Sequence, residues 1–138
     1  MTYPHSIEVQ LRFNDIDILG HLNNTVYFSL YDMGKALYMK EAGLRASGQD
    51  RPASVIADIH CTYFQPIHFD DKISVATRCS HIGEKSYTLE QILVDDKGVV
   101  RSKCETVMVY FNPETGKSEV LPEMYRRRIE EYERKMES

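Results

Sequence analysis

Hydrophobic and polar residues alternate from Ile7 to Asn14, with Ile7, Val9, Leu11 and Phe13 set against Glu8, Gln10, Arg12 and Asn14. A period of two predicts a strand with one buried face. After a polar loop over residues 14–24 the period changes. From about Thr25 to Glu41, Tyr27, Leu30, Tyr31, Gly34, Leu37 and Tyr38 recur at steps of three and four, the stripe of an amphipathic helix. Gly34 costs such a helix about 1 kcal/mol against Ala, a cost that close approach of a sheet would offset. Gly43 fits a helix stop, and residues 44–52 read as a loop. The period returns to two at Val55. Val55, Ala57, Ile59, Cys61 and Tyr63 should share one face of a strand, and Ile56, Asp58, His60, Thr62 and Phe64 the other, until Gln65-Pro66 breaks it. Three more strands are predicted at about 72–82, 86–94 and 99–111, separated by Gly83-Glu84-Lys85 and Asp95-Asp96-Lys97-Gly98. Asn112 to Gly116 turns once more. Pro122 opens a helix with Tyr125, Ile129, Tyr132 and Met136 on one face.

Strand, long helix, then four strands on short turns implies antiparallel neighbours and a helix laid on one face of the sheet. The expected class is α+β, a curved antiparallel five-stranded sheet wrapped around a long central helix, plus a short C-terminal helix. At 138 residues a single domain over 1–138 is the simplest division.

Charge and cysteine usage narrow the function classes. The net charge of −4 argues against a nucleic-acid partner, which favours a basic domain. Cys61, Cys79 and Cys104 are odd in number and far apart, fitting neither a zinc knuckle nor a CxxC pair. They are expected as free thiols in a reducing compartment. The residues around Met1–His5 do not form a secretory signal, and no stretch is apolar enough for a bilayer. A cytoplasmic protein without a membrane partner is expected. The five His are scattered and no HExxH appears, so no metal is expected.

The chemistry concentrates between the first strand and the long helix. Asp17-x-x-Gly20-His21-x-Asn23-Asn24, followed by Tyr27, resembles the signature of hotdog-fold acyl-CoA thioesterases, nearest the 4-hydroxybenzoyl-CoA thioesterase-like group. Later pieces follow in the family's order: Tyr63-x-x-Pro66 with Asp70-Asp71, Gly83-x-x-Ser86, Pro113-x-Thr115-Gly116 and Leu121-Pro122. The resemblance implies the hotdog fold, hydrolysis of an acyl-CoA to a carboxylic acid and free CoA, and a homodimer or homotetramer with its site at a subunit interface. It implies no cofactor beyond the coenzyme A carried by the substrate. Acyl-carrier protein is the other carrier to consider.

By this resemblance Asp17 is the nucleophile or general base, and a backbone N–H near Asn24 polarises the thioester carbonyl. Gly20, His21, Asn23 and Asn24 are the positioning residues. Plant-type acyl-carrier-protein thioesterases pair a His here with an Asn; Leu19 stands at that Asn position, which leaves His21 to shape the site. Tyr27, Asp58, His60, Lys85 and Ser86 are weaker substrate-binding candidates, the last two toward coenzyme A. Asp15 competes with Asp17, but only Asp17 has the Asp-x-x-Gly-His spacing. Arg126-Arg127-Arg128 reads as a solvated face.

Elementary chemistry supports the assignment. A helix N-terminus carries unsatisfied N–H groups and about half a positive charge, suited to a developing oxyanion. A carboxylate can activate water or attack directly. Two other classes share the features: a hotdog enoyl-thioester hydratase, which spaces its Asp and His more widely, and a non-catalytic domain binding acyl-CoA or acyl-carrier protein.

Overall fold

The computed structural model describes residues 3–44, 54–112 and 114–137, without the side chains of 136 and 137. The loop expected over 45–52, Pro113 of the closing hairpin and the side chain of Met136 lie outside the described residues. The elements are β1 (His5–Val9), a 3-10 turn (Phe13–Asp15), α1 (Asn24–Glu41), β2 (Ser54–Tyr63), β3 (Ile73–Ile82), β4 (Ser86–Asp95), β5 (Val100–Asn112), β6 (Lys117–Ser118) and α2 (Glu123–Glu137).

All strand pairs are antiparallel, in the order β1-β3-β4-β5-β2. The expected five strands form this path, and the two-residue β6 adds a sixth beside β5. The expectation of neighbours in chain order holds for β3, β4 and β5 but not for β2. Residues 64–72 carry the chain from one side of the sheet to the other, so β2 ends as an edge strand.

The core lies between α1 and the sheet, with Tyr31, Ile73, Val75, Leu93 and Cys104 fully buried. Gly34 is where backbone meets sheet. A Cβ there would lie 2.8 Å from Gln91 Nε2 and 2.9 Å from Val75 Cγ2. Gln91 cannot move aside cheaply, because Nε2 donates to Tyr31 O at 2.9 Å and Thr77 Oγ1 at 3.0 Å. Gly34→Ala should therefore destabilise the fold by about 1–2 kcal/mol, overpacking outweighing the gain in helix propensity. Urea denaturation checks this; a raised midpoint at unchanged m would contradict it.

Several local expectations are corrected. The alternation does not run to Phe13, which is 80% exposed. The chain instead turns at Phe13–Asp15, because the buried Asp15 carboxylate accepts from the Arg12 N–H at 2.9 Å and from its guanidinium at 3.0 Å. On α1, Leu37 lies at the exposed margin and Lys35 is buried in its place. The Lys35 ammonium reaches Thr106 Oγ1 at 3.3 Å and the Asp32 carboxylate at 3.4 Å, so its stem packs while its charge is paired. In β2 the pairing with β5 shifts between Ile56 and Asp58. This bulge at Ala57 moves Ile56 to the face opposite that of Val55 and Asp58. The C-terminal helix runs where expected, over Glu123–Glu137, but Arg126 and Arg128 are not solvated. Arg126 donates to Gly83 O at 2.7 Å, and Arg128 donates to Gly43 O just past the α1 C-terminus. The three cysteines are free thiols, and burial pushes Cys79 and Cys104 up to about 12 and about 11.

Candidate active site

The turn after β1 is built by Asp17. Its N–H donates to His21 O at 2.8 Å, and its own carbonyl accepts from the Gly20 N–H at 3.0 Å. Oδ1 accepts from the N–H groups of Leu19 at 2.9 Å and His21 at 3.2 Å. Gly20 sits at φ 80°, a conformation that costs glycine little. The second carboxylate oxygen of Asp17 makes no hydrogen bond among the described residues.

The helix begins immediately beyond. Asn23 is the N-cap: Oδ1 accepts from the Thr25 N–H at 3.1 Å and the Thr25 hydroxyl at 3.0 Å. Its backbone N–H donates to Asp15 O at 2.8 Å. Asn23 and Asp15 are thus braces, and the Asn24 N–H at the first helical residue has no acceptor among the described residues. Such a donor is what an anionic oxygen needs.

Asp17, His21, Asn24 and Tyr27 share one cleft of about 330 Å³ with Leu22, Tyr63, Phe64, Gln65 and Pro66. Tyr27 is buried, and its ring meets Tyr63 edge to face at 4.7 Å. His21 meets His68 the same way at 5.2 Å.

Four candidates are not brought to this cleft within one chain. His60 pairs with Glu105 and Asp58 with Val107, one step from Cys61 and Thr106 respectively. Cys104 and Thr106 point toward α1, so Asp58 and His60 occupy the opposite sheet face. Lys85 and Ser86 lie at the other end of the strands, where Lys85 O accepts from the Tyr110 N–H. The β2–β3 crossing segment reads in sequence only as a strand break, yet Phe64, Gln65 and Pro66 form a wall of the cleft. Pro66 and Asp71 are its visible signals. Among the described residues no three His, Cys, Asp or Glu side chains converge on a metal position.

Comparison with known proteins shows the family and the fold. Residues 11–129 match the family model described as thioesterase-like superfamily. The chain belongs to that superfamily. Within it, the fold is the hotdog fold of the 4-hydroxybenzoyl-CoA thioesterase-like group. This thioesterase-like chain is similar to a thioesterase from Thermus thermophilus solved with coenzyme A and Zn. The two are 28% identical, with TM-score 0.85 and 95% of each chain covered. A predicted thioesterase from Bacillus stearothermophilus is 27% identical, with TM-score 0.83 and coverage of 92% of this chain and 94% of that one. A 4-hydroxybenzoyl-CoA thioesterase mutant complexed with 4-hydroxybenzoyl-CoA shares the fold at TM-score 0.80 and 14% identity, covering 91% and 97%. No helix among the described residues is long and apolar enough to cross a membrane.

Proposed function

We infer that the protein hydrolyses acyl-CoA thioesters, with Asp17 as the reacting carboxylate. The observation that carries this reading is a carboxylate with one uncommitted oxygen sharing a cleft with the open Asn24 N–H at a helix start. The thioester carbonyl oxygen takes the Asn24 N–H, and the helix terminus stabilises the negative charge that develops there. Asp17 takes a proton from water as it adds to the carbonyl carbon, or adds itself to give an anhydride that water cleaves. The C–S bond breaks and the thiolate of coenzyme A leaves with the electron pair. That thiolate is a good leaving group, so a dedicated general acid is not required. Gly20, His21 and Asn23 hold the turn and cap that set this geometry, and Tyr27 lines the acyl side. The substrate brings the only cofactor, coenzyme A, and acyl-carrier protein is the alternative carrier.

The working unit in this reading is a homodimer. The outer edge of β2 has no strand beside it among the described residues, and Ile56, Ile59 and Tyr63 are exposed on its α1-facing side. A long apolar edge of this kind calls for a cover. Antiparallel pairing of two β2 strands places the Ser54 end of one beside the Tyr63 end of the other. Strands spaced about 4.8 Å apart then bring the partner's Lys85 and Ser86 toward the cleft that they cannot reach in their own chain. There they would meet the phosphates or pantetheine of coenzyme A. Ile59→Lys on that edge should give a monomer by analytical ultracentrifugation and reduce thiol release at least tenfold. A dimer of full activity would contradict the proposed interface.

The reading is tested by thiol release from wild-type protein over short, long and aromatic acyl-CoAs. Turnover of at least one class is expected. Formation of a hydroxyacyl product without free thiol, or saturable binding with neither, would overturn it.

A further inference from the structure

Arg101 lies on β5, outside the cleft, and its side chain is only 13% exposed. Nε and Nη2 bind the Asp95 carboxylate at 3.1 and 2.9 Å. Nη1 donates to Pro66 O at 2.6 Å and to Asp71 Oδ2 at 3.1 Å. The backbone takes part as well: Arg101 O accepts from the N–H groups of Phe64 at 2.9 Å and Gln65 at 3.2 Å. One residue therefore grips the crossing segment at four places.

That segment in turn holds the turn bearing Asp17. Asp71 Oδ2 accepts from the His68 N–H at 2.8 Å, and the His68 ring nitrogen is 3.6 Å away. The His68 ring stands edge-on to His21, whose N–H donates to Asp17 Oδ1. Between them, Ile67 O accepts from the Leu22 N–H at 2.6 Å. Burial works against the charge on Asp71, but the His68 N–H and Arg101 outweigh it and hold the carboxyl below its ordinary value.

We propose that Arg101, acting through Asp71 and the 64–71 segment, is a positioning residue that fixes the Asp17 turn against the start of α1. This inference rests on the hydrolase reading for its catalytic consequence, but not for its structural one. A fork with several acceptors in one plane is what Arg supplies and Lys does not, and misplacement of a reacting group by about 1 Å can cost a hundredfold in rate.

The test uses Arg101→Met, Arg101→Lys and Asp71→Ala, with Arg78→Met as a control that disturbs a distant ion pair. In folded protein, Arg101→Met and Asp71→Ala, which removes the acceptor of both the Arg101 and the His68 bond, should lower kcat about ten- to a hundredfold while KM changes less than about threefold. Arg101→Lys should recover part of the loss. Arg78→Met should lower stability and keep kcat. Amide exchange gives a readout without catalysis: the Leu22 N–H should exchange at least about tenfold faster in Arg101→Met, relative to β4 amides. Unchanged relative exchange at Leu22 would overturn the proposal even if the wild type releases no thiol. So would kcat within twofold of wild type in folded Asp71→Ala and Arg101→Met.

Discussion

Asp17→Asn should leave the fold intact and lower thiol release by about 10²–10⁴-fold. The asparagine keeps an oxygen in the place of Oδ1, where it can still accept from the Leu19 and His21 N–H groups. What it loses is the negative charge that activates water or attacks the thioester. Asp17→Ala removes both and should also loosen the turn, at a cost of about 1 kcal/mol for the lost bonds. The contrast separates chemistry from scaffolding. Loss in Ala alone would mean the carboxylate only ties the loop together; loss in both, with affinity for coenzyme A preserved, places the reaction on the carboxylate. Retained turnover in both folded variants would reject Asp17 as the reacting group. Asp15 provides the internal comparison. Its carboxylate is buried and held below the ordinary range by the Arg12 guanidinium, with the Arg12 N–H adding to this against the effect of burial, so it is already committed.

The parts of the site that could be read from the sequence were those coded locally. A strand, a turn with glycine at a positive φ, an Asn N-cap and a stripe of tyrosines each leave a mark within a few residues. Gly34 was legible for the same reason: a glycine inside a strong helical period needs a neighbour, and the sheet is that neighbour. What stayed hidden depends on pairing at long range. The crossing of residues 64–72 cannot be deduced from a short polar break, because the choice between β2–β3 and β2–β5 pairing is made across the whole sheet. The Ala57 bulge has no signature in an uninterrupted apolar alternation, and one extra residue reverses which side chains face α1. Lys35 and Arg128 show the same limit for charge. Composition assigns them to solvent, yet each is drawn in by an acceptor on a distant element, Thr106 for one and Gly43 O for the other.

Arg78→Met is expected to cost about 3 kcal/mol of stability at pH 7, the low end for removing one partner of a buried ion pair. Glu90 is buried on the sheet face away from α1, directly across from Arg78 in the β3–β4 register. Arg78 Nε lies 2.8 Å from Oε2, the Tyr3 hydroxyl donates to the same oxygen at 2.7 Å, and the Lys103 ammonium is 3.5 Å from Oε1 while also reaching Glu105 at 3.7 Å. Burial alone would raise the Glu90 carboxyl, but the bonds from Arg78 and Tyr3 overcome it and hold the group down at about 2, against 4.5 ordinarily. The sign follows from linkage. A depressed folded-state value means the unfolded chain binds the proton first. The stabilisation is complete above about pH 4.5 and is lost as pH falls toward 2. Tyr3 and Lys103 remain in the variant and keep part of the effect, which is why the low end applies. The difference in unfolding free energy between wild type and Arg78→Met should therefore be largest near neutrality and shrink between about pH 4.5 and 2. Urea titrations at several pH values measure it. A difference that stays constant over that window would mean the loss comes from the Arg78 guanidinium lying over the Tyr3 ring, its carbon 5.9 Å from the ring centre, and not from the carboxylate it neutralises.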